Sequence, residues 1–175
     1  ATGKRHDFRA DWSVGFDSDG RIIAYDVALN ARCGCSVDLS VGVVDRAMFH
    51  ATNAYFAPNA SIRSKRLKTN TVSNTAFRGF GGPQGMLCIE DVMDRAARTL
   101  GLPPHVVRTR NFYREGDTTH YGEVVEHASR MPRLWQTLEA SASLDARRAE
   151  VAAFNAAHPH RNRGAAGRRT RCDRH

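Results

Sequence analysis

The sequence predicts an α+β fold, a β-hairpin and short strands packed with several helices. Apolar residues alternate with period two near the start of the chain and recur at helical spacing in most of the remainder, and Gly and Pro mark the joints between. Phe8, Ala10, Trp12, Val14 and Phe16 alternate with polar residues, as a half-buried strand requires. Asp17-Ser-Asp-Gly20 supplies turn chemistry, and Ile23, Tyr25, Val27, Leu29 and Ala31 restore the alternation, so this stretch reads as a β-hairpin.

Gly34 to Ser40 reads as a loop. Val43, Val44, Ala47, Met48 and Ala51 then fall on one helical face until Pro58 stops the segment. Arg46 on this helix is flanked by residues of the buried face, which admits a pocket-facing cation, but pattern alone favours an exposed arginine or a partner for Asp45 or Asp38. Ile62 to Leu67 is a short strand. Met86, Ile89, Val92, Met93, Ala96, Ala97 and Leu100 form an amphipathic helix closed by Gly101 and Pro103. A short helix from Pro103 ends near Asn111, and Arg114 to Ser129 is polar connecting structure. Pro132 to Ser141 and Leu144 to Ala157 are two further helices. Beyond Pro159 the apolar period stops, and the Gly- and Arg-rich end is expected to be disordered.

With 175 residues and 41% hydrophobic content, the chain can bury a core. The net charge is +8, of which +5 lies between Arg161 and His175, so the body carries an ordinary +3. A basic nucleic-acid-binding module is therefore the weaker reading, since the arginine cluster has no interleaved aromatics. The cysteines at 33, 35, 88 and 172 show no zinc spacing, and free thiols in a reducing compartment are expected. No apolar run is long enough for a membrane span, and no signal-peptide pattern is present.

Between the second strand region and the long helix, Phe77-Arg-Gly-Phe-Gly-Gly-Pro-Gln-Gly85 packs glycines among aromatic and cationic side chains. Gly79, Gly81 and Gly82 permit positive φ and close backbone approach, and Pro83 suits the first turn of a helix. The glycine spacing is neither that of a dinucleotide fingerprint nor that of a phosphate loop. On its own the stretch is as readily a tight turn as a ligand loop.

The wider run from Lys68 to Met86 resembles the molybdenum-cofactor-binding part of the xanthine dehydrogenase and xanthine oxidase family. The resemblance extends from about Gly3 to Pro159 and includes Asp45-Arg-Ala-Met-Phe-His50, Asn111-Phe-Tyr113 and Glu115-Gly-Asp-Thr-Thr-His120. It implies that residues 1–160 are part of a larger molybdopterin-binding domain, with 161–175 a tail that is disordered or read out of frame. In that family a pyranopterin-dithiolene molybdenum centre hydroxylates xanthine and hypoxanthine with oxygen from water. Electrons leave through [2Fe-2S] clusters and FAD, in other domains or subunits, to NAD. The resemblance implies that Arg78 and Gly79 border the cofactor, with the Arg78 backbone near the molybdenum, that Phe80 lies against the purine face, and that Arg46 faces a purine oxygen. It also implies a cytoplasmic enzyme, oligomeric when intact. The family's catalytic glutamate and iron–sulfur and FAD modules have no match in this chain, so the chain alone is expected to be inactive. An aldehyde oxidase or another molybdenum hydroxylase is the alternative.

Overall fold

The computed structural model describes residues 3–164, which fall into one unit running to Glu126 and another beginning at His127. Cys172 and most of the expected disordered tail lie outside the described residues. In the first unit β1 (Phe8–Phe16) and β2 (Ile22–Gly34) form the expected antiparallel hairpin, and β3 (Ala60–Lys68) pairs parallel to β2, giving the order β1-β2-β3. Parallel neighbours need a crossover, and α1 (Ser40–Phe49) lies within it.

Tyr25, Val27, Leu29 and Ala31 point to one side of β2 and are fully buried. One departure occurs at the hairpin end. Gly15 pairs with Ala24 but Phe16 pairs with Ile22, and this bulge turns Ile23 outward while Ile22 takes the buried place the alternation had given to Ile23. The buried row is covered by α1, through Val44 against Ala31 and Cys33, and by α2 (Gly82–Leu100), where the Tyr25 hydroxyl lies 3.6 Å from the Cys88 thiol. Side chains of this size each contribute roughly 1.5–3 kcal/mol when fully buried.

α1 ends at Phe49 and does not continue to Pro58. Beyond it Asn53 adopts φ +47, and Asn53 Nδ2 and Tyr55 Oη both donate to Glu90 Oε1 on α2, at 3.0 and 2.7 Å. A continuing helix would point these donors elsewhere. The other oxygen of Glu90 accepts from Arg108 Nε at 2.9 Å, on α3 (Pro104–Arg110), while Arg108 Nη2 donates to Asp94 Oδ1. Glu90 thereby ties three segments together. Asn111, 4% exposed, closes the far end: its Nδ2 donates to the carbonyls of Gly20 and Val107, and its Oδ1 accepts the Ile22 N–H at 2.8 Å.

In the second unit α4 (Arg130–Ala142) and α5 (Leu144–Ala157) are joined at Ser143, φ +48, and Arg148 reaches both Glu139 and Asp145. Leu144 is the one residue of these two helices that is buried. Among the described residues Cys33, Cys35 and Cys88 are free, and no helix is long and apolar enough to cross a membrane.

Candidate functional site

The glycine-rich stretch folds as two successive turns. Phe80 N–H donates to the Phe77 carbonyl at 2.8 Å and Gly82 N–H to the Gly79 carbonyl at 3.0 Å. Gly79, Phe80 and Gly81 have φ of +92, +48 and +97. The glycines take these values freely, but Phe80 does not, and a bulky residue held at positive φ costs about 1–3 kcal/mol that the surroundings must offset. α2 starts immediately afterwards, four residues before Met86, with Pro83 in its first turn as expected.

Close packing on α1 holds the turns in this shape. A Cβ at Gly81 would overlap the Val43 carbonyl, one at Gly82 would come within 3.0 Å of the His50 ring, and one at Gly85 would overlap the Ala47 carbonyl. These glycines, legible in the sequence as loop flexibility, are required by helix contact. The Phe80 ring lies over Gly42, where an added Cβ would stand 2.9 Å from Cε1. Gly42, Arg46 and His50 succeed one another at intervals of four along α1, so they share a stripe. Phe80 sits at one end of that stripe and Gly82 at the other.

Arg46 lies between them. It is exposed and has no carboxylate partner among the described residues. The partners offered by the sequence are occupied: Asp45 pairs with Arg66 at 3.0 Å, and Asp38 accepts from the Leu39 N–H and the Thr75 hydroxyl. The side chains of Phe77 and Arg78 are exposed. The N–H groups of Arg78 and Gly79 find no acceptor among the described residues, whereas the Arg78 carbonyl accepts from Arg5 Nη2 at 2.8 Å. The fold thus sets Phe80 against Gly42, one helical turn before Arg46, with Arg78 and Gly79 in the turn that leads to it. Arg5, on the Arg78 carbonyl, and Gly42, under the Phe80 ring, also belong to this neighbourhood and were missed by sequence reasoning. A glycine inside a helix marks Gly42 in retrospect, but nothing local marks Arg5.

Three histidines flank the same helix. His6, 2% exposed, has Nε2 2.8 Å from Ser40 Oγ. His120 faces the Met48 carbonyl with Nε2, at 2.9 Å, and Thr52 Oγ1 with Nδ1, so the residue in the polar connection clamps the end of α1. Burial lowers the pKa of all three below the ordinary 6.5; at His50 the Arg46 charge adds to it, and at His6 Asp38 and Asp7 oppose it. A lowered histidine pKa stabilises the fold fully above 6.5, and that contribution is lost as pH falls through the folded-state value. The melting temperature should therefore drop between pH 7 and pH 5. A flat profile over that interval in differential scanning calorimetry would contradict it.

Among the described residues no group of three His, Cys, Asp or Glu side chains could hold a metal ion. Residues 1–112 match the model of the molybdopterin cofactor-binding domain. The chain is 47% identical over 163 residues to xanthine dehydrogenase/oxidase of Mus musculus, covering 93% of the chain and 12% of that protein. It is 38% identical over 165 residues to a nicotinate hydroxylase of Emericella nidulans, covering 94% and 12%. The chain therefore spans about an eighth of the length of these relatives. Among solved structures, the aldehyde oxidoreductase of Desulfovibrio gigas superposes with a TM-score of 0.67 at 29% identity, over 81% of the chain and 16% of that protein. Fold, loop and similarity agree, and the chain is a xanthine dehydrogenase-like member of the molybdopterin cofactor-binding domain family.

Proposed function

We propose that this chain forms one wall of a purine-hydroxylating site, in an enzyme that converts hypoxanthine and xanthine to urate. The observation that carries this reading is Phe80, held at φ +48 with its ring on Gly42, one helical turn before Arg46, which has no carboxylate partner among the described residues. A bulky aromatic kept at positive φ is an outlier that supports a binding role for this turn. Phe80 fixes the plane of a heterocycle, an offset or edge contact worth about 0.5–1.5 kcal/mol beyond burial. Arg46 stabilises negative charge that develops on the ring oxygen.

The residues fit a molybdenum-pyranopterin cofactor. The N–H groups of Arg78 and Gly79, without an acceptor among the described residues, would offer two neutral donors to its polar edge. When bound, the cofactor supplies oxygen transfer and takes up the electrons released. Iron–sulfur clusters and FAD then belong to other domains or subunits of an oligomeric, cytoplasmic enzyme that passes electrons to NAD, with residues 1–160 as part of the molybdopterin-binding domain. On this reading the chain supplies only one wall of the site and the catalytic base lies elsewhere in the enzyme, so the chain alone should bind no molybdenum and oxidise no purine; stoichiometric molybdenum in the purified chain would overturn this.

Hydroxylation of another heteroaromatic ring or of an aldehyde is the second reading, favoured by the similarity to the nicotinate hydroxylase and the aldehyde oxidoreductase. Turnover of xanthine, nicotinate and an aromatic aldehyde by the full-length enzyme carrying this segment separates the two. Efficient urate formation is expected. Oxidation of the aldehyde or nicotinate without purine turnover would overturn the purine assignment.

A further inference from the structure

Arg5 is 73 residues from Arg78 in sequence, yet its guanidinium closes on the Phe77–Gly79 turn from two directions. Nη2 donates to the Arg78 carbonyl at 2.8 Å, and the guanidinium carbon stands 4.3 Å from the centroid of the Phe77 ring. The remaining Nη1 is buried about 4.0 Å from where a Gly79 Cβ would be. We propose that Arg5 is a positioning residue for the site, fixing the peptide between Arg78 and Gly79 so that the Gly79 N–H stays directed toward the ligand side. The role in catalysis rests on the functional reading above.

The argument is one of peptide geometry. Phe77 to Phe80 form a hydrogen-bonded turn in which Gly79, at φ +92, has the value of the third residue of a type II turn. Types I and II differ by a flip of the central peptide, here the one joining Arg78 to Gly79, and glycine in the third position tolerates both. A trans peptide directs its C=O and its N–H to opposite sides, and no peptide in the described chain is cis. Holding the Arg78 carbonyl against Arg5 therefore turns the Gly79 N–H the other way, where it has no acceptor among the described residues. Arg5 is the group that holds the Arg78 carbonyl, so its removal takes away the hydrogen bond that favours this orientation over the flipped one. An arginine suits the task because its planar fork can donate in its plane while its face lies on an aromatic ring; a lysine ammonium cannot do both with one geometry.

The test uses the full-length enzyme in wild-type, Arg5→Met and Arg5→Lys forms, with hydrogen exchange of the peptide spanning 76–81 measured beside steady-state kinetics. Arg5→Met should speed exchange of the Phe80 N–H, the protected amide that closes the turn, about tenfold while peptides of β2 keep their wild-type rates. It should also lower kcat/KM about 10–100-fold, the scale of a small misplacement. Arg5→Lys should fall between the two in both measurements. If Arg5→Met does not fold, Arg5→Gln takes its place with the same expected result. Unchanged exchange at 76–81, faster exchange throughout the protein, or faster local exchange with unchanged kcat/KM would each overturn the proposal. Failure of the purine reading is seen separately, in the wild-type enzyme, and kcat/KM is then compared on whichever ring or aldehyde the wild type oxidises.

Discussion

On the proposed purine reading, Arg46→Met in the full-length enzyme should lower kcat and kcat/KM for xanthine together, by about two to three powers of ten, the usual cost of one well-placed electrostatic contact. Methionine keeps much of the volume and lets α1 continue, since the position is exposed and makes no ion pair among the described residues. What is lost is the cation, and an interaction made mainly in the transition state reduces kcat as well as kcat/KM. An uncharged aromatic aldehyde needs no such partner, so its turnover should change little or improve as the pocket becomes apolar. Steady-state kinetics on both substrates decide the matter. Equal small effects on xanthine and aldehyde would reduce Arg46 to a surface arginine.

The second large effect is expected at Gly81. Alanine there must adopt φ +97, and its Cβ would overlap the Val43 carbonyl and approach Ala47 N to 3.2 Å. Both obstacles are main-chain atoms of α1, so no rotamer change relieves them, and the strain and the overlap together should cost about 3 kcal/mol or more. Gly116 provides the control. Its φ is +82, but nothing lies within 4 Å of an added Cβ, so Gly116→Ala should bear only the backbone part, about 1–2 kcal/mol. Urea denaturation of the two variants measures the difference, and equal losses would mean that the α1/α2 contact does not depend on Gly81. Because the same shift would move Phe80 off Gly42, Gly81→Ala should also impair ring orientation in the assembled enzyme.

The sequence by itself determined the α+β class, the hairpin, the presence of five helices and the glycine-rich turns that precede α2. Those features depend on local periodicity and on Gly and Pro, whose conformational limits act over a few residues. Tertiary structure decided the remainder, because contacts between distant segments leave no local pattern. A bulge one residue wide exchanged Ile22 for Ile23 in the core. The demands of Glu90 ended α1 early, by drawing Asn53 and Tyr55 to one carboxylate. The pairing of Asp45 with Arg66 left Arg46 free, although sequence alone had offered Asp45 as its partner. The glycines at 81, 82 and 85 were visible as permissive residues, but only the approach of α2 to α1 shows that a side chain there has no room. Arg5 had no signal at all in the sequence, since an arginine earns a positioning role only from the carbonyl and ring that folding brings to it.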